Sequence, residues 1–215
     1  MEIQRTANAG VLLTLDGVKI LLDGLCESFG PYLGTPAAIV EELLQNPPDL
    51  LAFTHGHPDH FGETLVSEYG KQNLRPILGP ESLPCDAQCG SLRIGDVTVT
   101  PIATRHIGKV EPGLTHQSYL IEGSKRVLFA GDASPLQWKG REDVGRIDVL
   151  IAPYAYANTV SSWQLSCAIA EKTVLLHLPK RQDDAYGLWG QVEIAAGHQL
   201  GKRLYIPDVG ENLSI

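Results

Sequence analysis

Hydrophobic and polar positions along this chain form short apolar runs separated by turn residues. "GVLLTLDGVKILLDG" holds two such runs joined through Asp16-Gly17, a pair that favours the backbone angles of a tight hairpin turn. "DLLAFT" is a continuous apolar run bounded by polar residues, the pattern of a buried strand. "RPILGP", "SLRIGDVTVTPIAT", "HQSYLIEGSKRVLFAGD" and "IDVLIAPY" predict further strands separated by glycines and polar turns. "TVLLHL" is another buried run, and "KRLYIPDVGENLSI" closes the chain as strand. Helical spacing appears in "TPAAIVEELLQN", with Thr35 as cap, Pro36 at the first helical position and Ile39, Leu43 and Leu44 on one side. Pro47-Pro48 stops it. "HFGETLVSEYGKQ", "SSWQLSCAIAEK" (opened by a Ser cap) and "YGLWGQVEIAAGHQLGK" predict three more helices, the last against two internal glycines. Strand runs with interspersed helices and no internal repeat predict sheet layers covered by helices, a mixed α/β architecture.

Composition narrows the function. The 215 residues carry no linker-like stretch, so residues 1–215 are expected to form a single domain with one substantial core. The formal net charge of −8 is spread without blocks, which argues against a nucleic acid as the main ligand. No run approaches the roughly 18 apolar residues of a membrane span. The opening "MEIQRTANAGVLL" has no signal-peptide pattern, and a cytoplasmic protein is expected. Four cysteines, Cys26, Cys85, Cys89 and Cys167, are too few for a disulfide framework. The Cys85/Cys89 pair in "PCDAQCG" lacks a second metal-binding pair nearby and reads as free thiols in a loop.

The chemistry is concentrated in "THGHPDH". Three of the seven histidines, His55, His57 and His60, and Asp59 fall within six positions directly after a strand-like run. Imidazoles and carboxylates together suit zinc and similar divalent cations. In an extended backbone, the spacing of His55 and His57 puts both side chains on one side. Asp59 and His60, where the chain turns toward a helix, suit a neighbouring second ion. Two-metal hydrolytic sites hold their ions roughly 3.5–4 Å apart. His106, Asp132 and His177 each follow another apolar run, and strand ends in layered α/β folds converge on one edge, where ligands bind.

These residues resemble the HxHxDH signature of the metallo-β-lactamase superfamily, followed in its order by a later His, a Gly-Asp and a final His. The resemblance runs from about Ala9 to the C-terminal "GENLSI". It implies an αββα sandwich, two mixed sheets face to face with helices on the outer sides. By position it implies that His55, His57 and His106 hold one metal, Asp59, His60 and His177 a second, and that Asp132 bridges them. The ions would be two divalent metals, zinc first, with manganese or iron as alternatives. His116 is the alternative to His106, because the family's tight "PGH-T" turn is absent here. The longer loop resembles the branch of small metal-dependent hydrolases that includes L-ascorbate-6-phosphate lactonase. The implied activity is hydrolysis of a small, anionic ester, lactone or phosphoester by a metal-bridging hydroxide, with Asp132 and Asp59 as catalytic carboxylates. A nucleic-acid phosphodiesterase or RNase of the same fold, or a non-catalytic metal-binding relative, is the alternative, and homo-oligomerisation is left open. Asp23, closing the first hairpin, is a candidate to orient a ligand histidine. His116, Tyr154, Tyr156, Lys180 and Arg181 are candidate substrate contacts, with Arg105 a further anion-binding candidate.

Overall fold

The computed structural model describes residues 1–85, 90–109 and 111–215; Cys89 lies outside them. Two sheets stand face to face. The first contains β1 (Glu2–Arg5), β2 (Val11–Leu15), β3 (Val18–Leu22), β4 (Leu50–Ala52), β5 (Ile77–Leu78) and β13 (Asn212–Ser214), in the order β13-β1-β2-β3-β4-β5. The second contains β6 (Leu92–Ile94), β7 (Val97–Thr104), β8 (His116–Glu122), β9 (Arg126–Phe129), β10 (Ile147–Pro153), β11 (Ala170–Leu176) and β12 (Leu204–Tyr205), in the order β12-β11-β10-β9-β8-β7-β6. Helices α1 (Ala37–Gln45) and α2 (Glu63–Gln72) link the parallel strands β3, β4 and β5. Helices α3 (Val160–Ile169) and α4 (Leu188–Ala196) link the parallel strands β10, β11 and β12. Parallel neighbours cannot be joined by a tight turn, so each such step needs a crossover.

The continuous apolar runs follow from this layering, because their strands are buried on both faces. Along β9 to β11, Val127, Phe129, Val149, Ile151, Val174 and Leu176 fill the space between the sheets. The intervening Leu128, Leu150 and Leu175 face outward under α3 and α4, packing with Trp163, Leu188 and Val192. In the first sheet Ile20, Leu22, Leu50 and Ala52 face the other sheet. Leu21, Leu51 and Phe53 pack beneath α1 and α2 against Ile39, Leu43, Val66 and Tyr69. Three apolar layers between four structural layers make the expected αββα sandwich.

Local signals hold with small shifts. Asp16 and Gly17 both take positive φ, 51° and 82°, as the tight hairpin between β2 and β3 requires. Thr35 does not cap α1; its hydroxyl donates to Gly24 O and accepts from Cys26 N, and the helix starts after Pro36. The α3 cap is Thr159, reciprocated by Ser162. The run expected to be helical through Lys172 turns to strand at Ala170, where pairing with Ile147 begins. The closing segment is divided, with β12 in one sheet and β13 in the other. There β13 pairs with β1, a strand the apolar pattern does not announce.

Buried polar groups tie the sheets together near one edge. The Tyr119 hydroxyl of β8 donates across the interior to Phe53 O (2.6 Å) and accepts from Gln117 Nε2 (2.6 Å). The Gln117 backbone N–H donates to Thr54 O (2.9 Å). Tyr119 is fully buried, so Tyr119→Phe strands an acceptor and a donor without water. Urea unfolding of this variant is expected to show a loss of about 1–3 kcal/mol with an unchanged denaturant slope.

Candidate metal centre

The site is built where strand ends meet. Asp23 follows β3, His55 follows β4, His106 follows β7, Asp132 follows β9 and His177 follows β11. His57, Asp59 and His60 lie in the loop before α2, which starts at Glu63, three residues later than the helical pattern suggests. A single turn there, with the N–H groups of His60 and Phe61 both donating to His57 O, points Asp59 and His60 back toward the strands. Phe61 anchors the turn edge-on against Phe53.

The seven candidate ligands converge. Donor atoms of His55, His57 and His106 lie within 4.8 Å of one another, as do those of Asp59, His60 and His177, and those of His55, His60 and Asp132. Asp132 Oδ2 is the common neighbour, 3.4 Å from His106 Nε2, 3.6 Å from His60 Nε2 and 3.4 Å from His177 Nε2. Asp59 Oδ2 stands 3.2 Å from His177 Nε2. Four of the buried atoms, His60 Nε2, His106 Nε2, His177 Nε2 and Asp132 Oδ1, have no hydrogen-bond partner. Burying such groups unpaired costs about 1–3 kcal/mol each, and imidazole nitrogens with carboxylate oxygens are the donors that zinc and similar cations take. The donor set therefore fits divalent metal ions.

Supporting contacts select which nitrogen faces inward in His55, His57, His60 and His106, while both ring nitrogens of His177 are without a hydrogen-bond partner. Asp23, fully buried, accepts from Thr54 N (2.7 Å), the Thr54 hydroxyl (2.7 Å) and His60 Nδ1–H (2.8 Å). Since the Thr54 proton goes to Asp23, Thr54 Oγ1 is left to accept from His55 Nδ1–H (2.9 Å). One carboxylate thus sets two rings with Nε2 inward. Gly131 has φ 53°, and a Cβ there would sit 2.5 Å from Thr54 Cγ2. Glycine is required there both by backbone angle and by space. His57 is set by Glu111, 3.2 Å from its Nε2, so that Nδ1 faces His55. The His177 N–H donates to Asn8 O (3.0 Å) and the Asn8 amide approaches Asp59 Oδ2 (3.5 Å). Buried Arg5 holds that segment by donating to Ala7 O, Asn8 O and Pro207 O.

A cleft of about 400 Å³ opens on the cluster, walled by Phe29, Tyr32, Ile107, Pro153 and Tyr154. Tyr32 sits edge-on to His177 with ring centroids 4.4 Å apart. It belongs to a two-residue turn, Gly30-Pro31, closed by the Phe29 and Tyr32 backbones. Neither the apolar pattern nor the histidine motif marks Asn8, Phe29, Tyr32 or Glu111; the aromatic-flanked Gly-Pro in "SFGPYLG" is the local signal for two of them. Of the candidate substrate contacts, Tyr154 lines the cleft. Tyr156 does not. It is fully buried beneath α3 and its hydroxyl accepts from Trp138 Nε1 (2.6 Å). Lys180 and Arg181 border a neighbouring cavity, and Arg181 lies 4.1 Å over the Trp189 ring and pairs with Glu193. Arg105 is exposed and outside the cleft. His116 is buried with both nitrogens engaged, and burial pushes its pKa down to about 3.

The αββα frame with its site at the strand ends is the metallo-β-lactamase fold. A family model described as the beta-lactamase superfamily domain matches residues 2–171, and the chain belongs to that family. A UPF0173 protein of Pyrococcus abyssi is 30% identical over 175 residues, covering 75% of this chain and 73% of that protein. A UPF0173 metal-dependent hydrolase of Methanopyrus kandleri is 26% identical over 149 residues, 61% of this chain and 62% of that one. The crystal structure of a possible metal-dependent hydrolase from Veillonella parvula matches with a TM-score of 0.74 at 16% identity, covering 100% of this chain and 99% of that one.

Electrostatics set a pH test. Burial alone would lower the His60 pKa, but the carboxylates of Asp132 and Asp23 outweigh it and hold the ring well above its ordinary 6.5. A raised folded-state pKa means that, without metal, His60 stabilises the fold fully below pH 6.5 and loses that contribution as pH climbs through the raised value. Asp132 runs the other way. Burial would raise it, yet His177 and His60 hold it well below 3.8, so its contribution is present above that pH and lost on acidification. Metal and proton compete for His60 Nε2. Zinc affinity is therefore expected to rise with pH above 6.5, with protons released on binding. Titration calorimetry in buffers of different ionisation enthalpy checks this, and affinity independent of pH would contradict it.

Proposed function

We propose that the protein is a metal-dependent hydrolase of small ester, lactone or phosphoester substrates, working with two divalent cations, zinc first and manganese or iron as alternatives. The observation that carries this reading is the set of unpaired, buried imidazole and carboxylate atoms facing a cleft of small-molecule size. The description of the Methanopyrus relative as a metal-dependent hydrolase supports it. Bound divalent cations supply a water of lowered pKa and polarise the bond under attack.

The chain's own groups do the rest. His55, His57 and His106 form one donor set, and Asp59, His60 and His177 the other, with Asp132 Oδ2 between them. Asp59, beside His177 and lining the cleft, uses Oδ2 toward His177 and the Asn8 amide, and its other carboxylate oxygen orients the attacking water and takes its proton. Tyr32 and Tyr154 carry hydroxyls in the same cleft. Burial pushes Tyr32 up to about 12 and raises Tyr154 too. Both stay protonated at neutral pH and donate to the oxygen on which charge collects. No serine or cysteine lines the cleft among the described residues, which agrees with water as the nucleophile.

Elemental analysis is expected to return two metal ions per chain, and a panel of lactones, aryl esters and phosphodiesters to yield at least one substrate. Chelation should remove that activity, and zinc should restore it; a chelated sample as fast as the loaded one would overturn the reading. Asp132→Ala is expected to lower turnover by about 100-fold or more with an unchanged circular dichroism spectrum. Tyr32→Phe is expected to lower kcat by roughly 10- to 100-fold with metal content unchanged.

A further inference from the structure

His116 lies beside the donor cluster, yet offers it no free nitrogen. It opens β8 directly opposite Thr104, the last residue of β7. Thr104, His116 and Ser118 share one face of this strand pair, the face that carries Leu120 into the layer beneath the helices.

Four hydrogen bonds run through these side chains. The Asp132 N–H donates to His116 Nε2 (3.0 Å) and His116 Nδ1 meets Thr104 Oγ1 (2.7 Å). Thr104 Oγ1 meets Ser118 Oγ (3.1 Å), and the Ser118 hydroxyl donates to Ala130 O (2.7 Å). The two ends decide the middle. A backbone N–H only donates, so Nε2 accepts and Nδ1 carries the ring proton. A carbonyl only accepts, so Ser118 uses its proton there and accepts from Thr104, whose oxygen is left to accept from Nδ1–H. One assignment satisfies all four bonds. Both ends also land on the same segment. Ala130 O and Asp132 N flank Gly131, the residue with φ 53° packed against Thr54.

We propose that His116, acting with Thr104 and Ser118, is a positioning residue: it clamps the backbone of residues 130–132 and so aims the Asp132 carboxylate at the donor cluster. The proposal rests on reading that cluster as a metal centre. It gives His116 a task that is neither ligation nor substrate contact, since both ring nitrogens are already used.

The test uses the full chain as wild type, His116→Gln, His116→Asn and Thr104→Val. Zinc affinity is measured by competition with a chromophoric chelator, the cobalt-loaded absorption spectrum is recorded, and thermal unfolding is followed with and without zinc. The glutamine carbonyl reaches the place of Nε2 and can still accept from Asp132 N–H; asparagine reaches only the place of Nδ1. His116→Asn is expected to lower zinc affinity by about 10- to 100-fold and to shrink the zinc-induced rise in Tm, while His116→Gln stays within about threefold of wild type with the same cobalt bands. A purely packing role predicts that His116→Asn melts lower with and without zinc alike and binds zinc as tightly as wild type, which overturns the proposal. A ligand role predicts that both variants lose zinc and alter the cobalt bands, which also overturns it. If the His116 variants do not fold, Thr104→Val decides: removing the acceptor for Nδ1–H should weaken zinc binding severalfold, and unchanged affinity overturns the proposal. A wild-type protein that binds no divalent metal removes the underlying reading as well, whereas a metal-binding wild type with an indifferent His116→Asn removes only the clamp.

Discussion

Polar atoms buried without partners are unfavourable, and at one edge of this sandwich four of them face a single place. His60 Nε2, His106 Nε2, His177 Nε2 and Asp132 Oδ1 come from four separate segments. Their lone pairs, aimed into one region, suit a positive charge held between them. The same crowding shifts the groups against each other: the carboxylates of Asp132 and Asp23 raise the His60 pKa despite its burial, and His177 and His60 lower that of Asp132. The surrounding fold serves to hold these groups in place against that tendency to part.

The holding is done from below and from the sides. Asp23 sits under the cluster, sealed from water, and reaches His60 directly and His55 through Thr54. The clamp on residues 130–132 comes from the second sheet, and the cross-sheet bonds of Tyr119 and Gln117 end on Phe53 and Thr54, next to the first ligand. Two residues at the site, Asp23 and His177, take left-handed φ values of 48° and 63°. Such angles cost non-glycine residues of order 1–2 kcal/mol. Here each is stabilised by a backbone bond, Asp23 N to Ala52 O and His177 N to Asn8 O. Backbone strain is thus concentrated where side chains must leave strand ends at unusual angles.

The cleft above the cluster has an uneven character. Its walls are aromatic and aliphatic, with tyrosine hydroxyls as polar points. The basic residues that follow His177 turn away, Arg181 being committed to Trp189 and Glu193. Recognition of a substrate's remote anionic group by Lys180 or Arg181 loses its support. What remains for binding is the apolar wall, the hydroxyls and the donor cluster itself.

Much of the frame was legible locally. Continuous runs such as "LLAF" and "VLLHL" mark strands covered on both faces, Asp16-Gly17 marks a hairpin, and "THGHPDH" marks a crowd of donor residues, because each signal depends only on near neighbours in the chain. The strand β1 was not legible, since Glu2, Gln4 and Arg5 carry no apolar alternation and β1 owes its place to pairing with β2 and β13. The division of the closing segment between two sheets, and the α3 boundary at Ala170, were likewise set by strand pairing. Among the candidate site residues, the sequence alone determined which chemical groups stand at strand ends. Tertiary structure decided that His106 joins the cluster while His116 clamps beneath it, that Tyr154 faces the cleft while Tyr156 is buried two residues on, and which ring nitrogen of His55, His57 and His60 faces inward. Those outcomes turn on hydrogen-bond partners far away in the chain, and no local pattern encodes a partner that only folding brings within three ångströms.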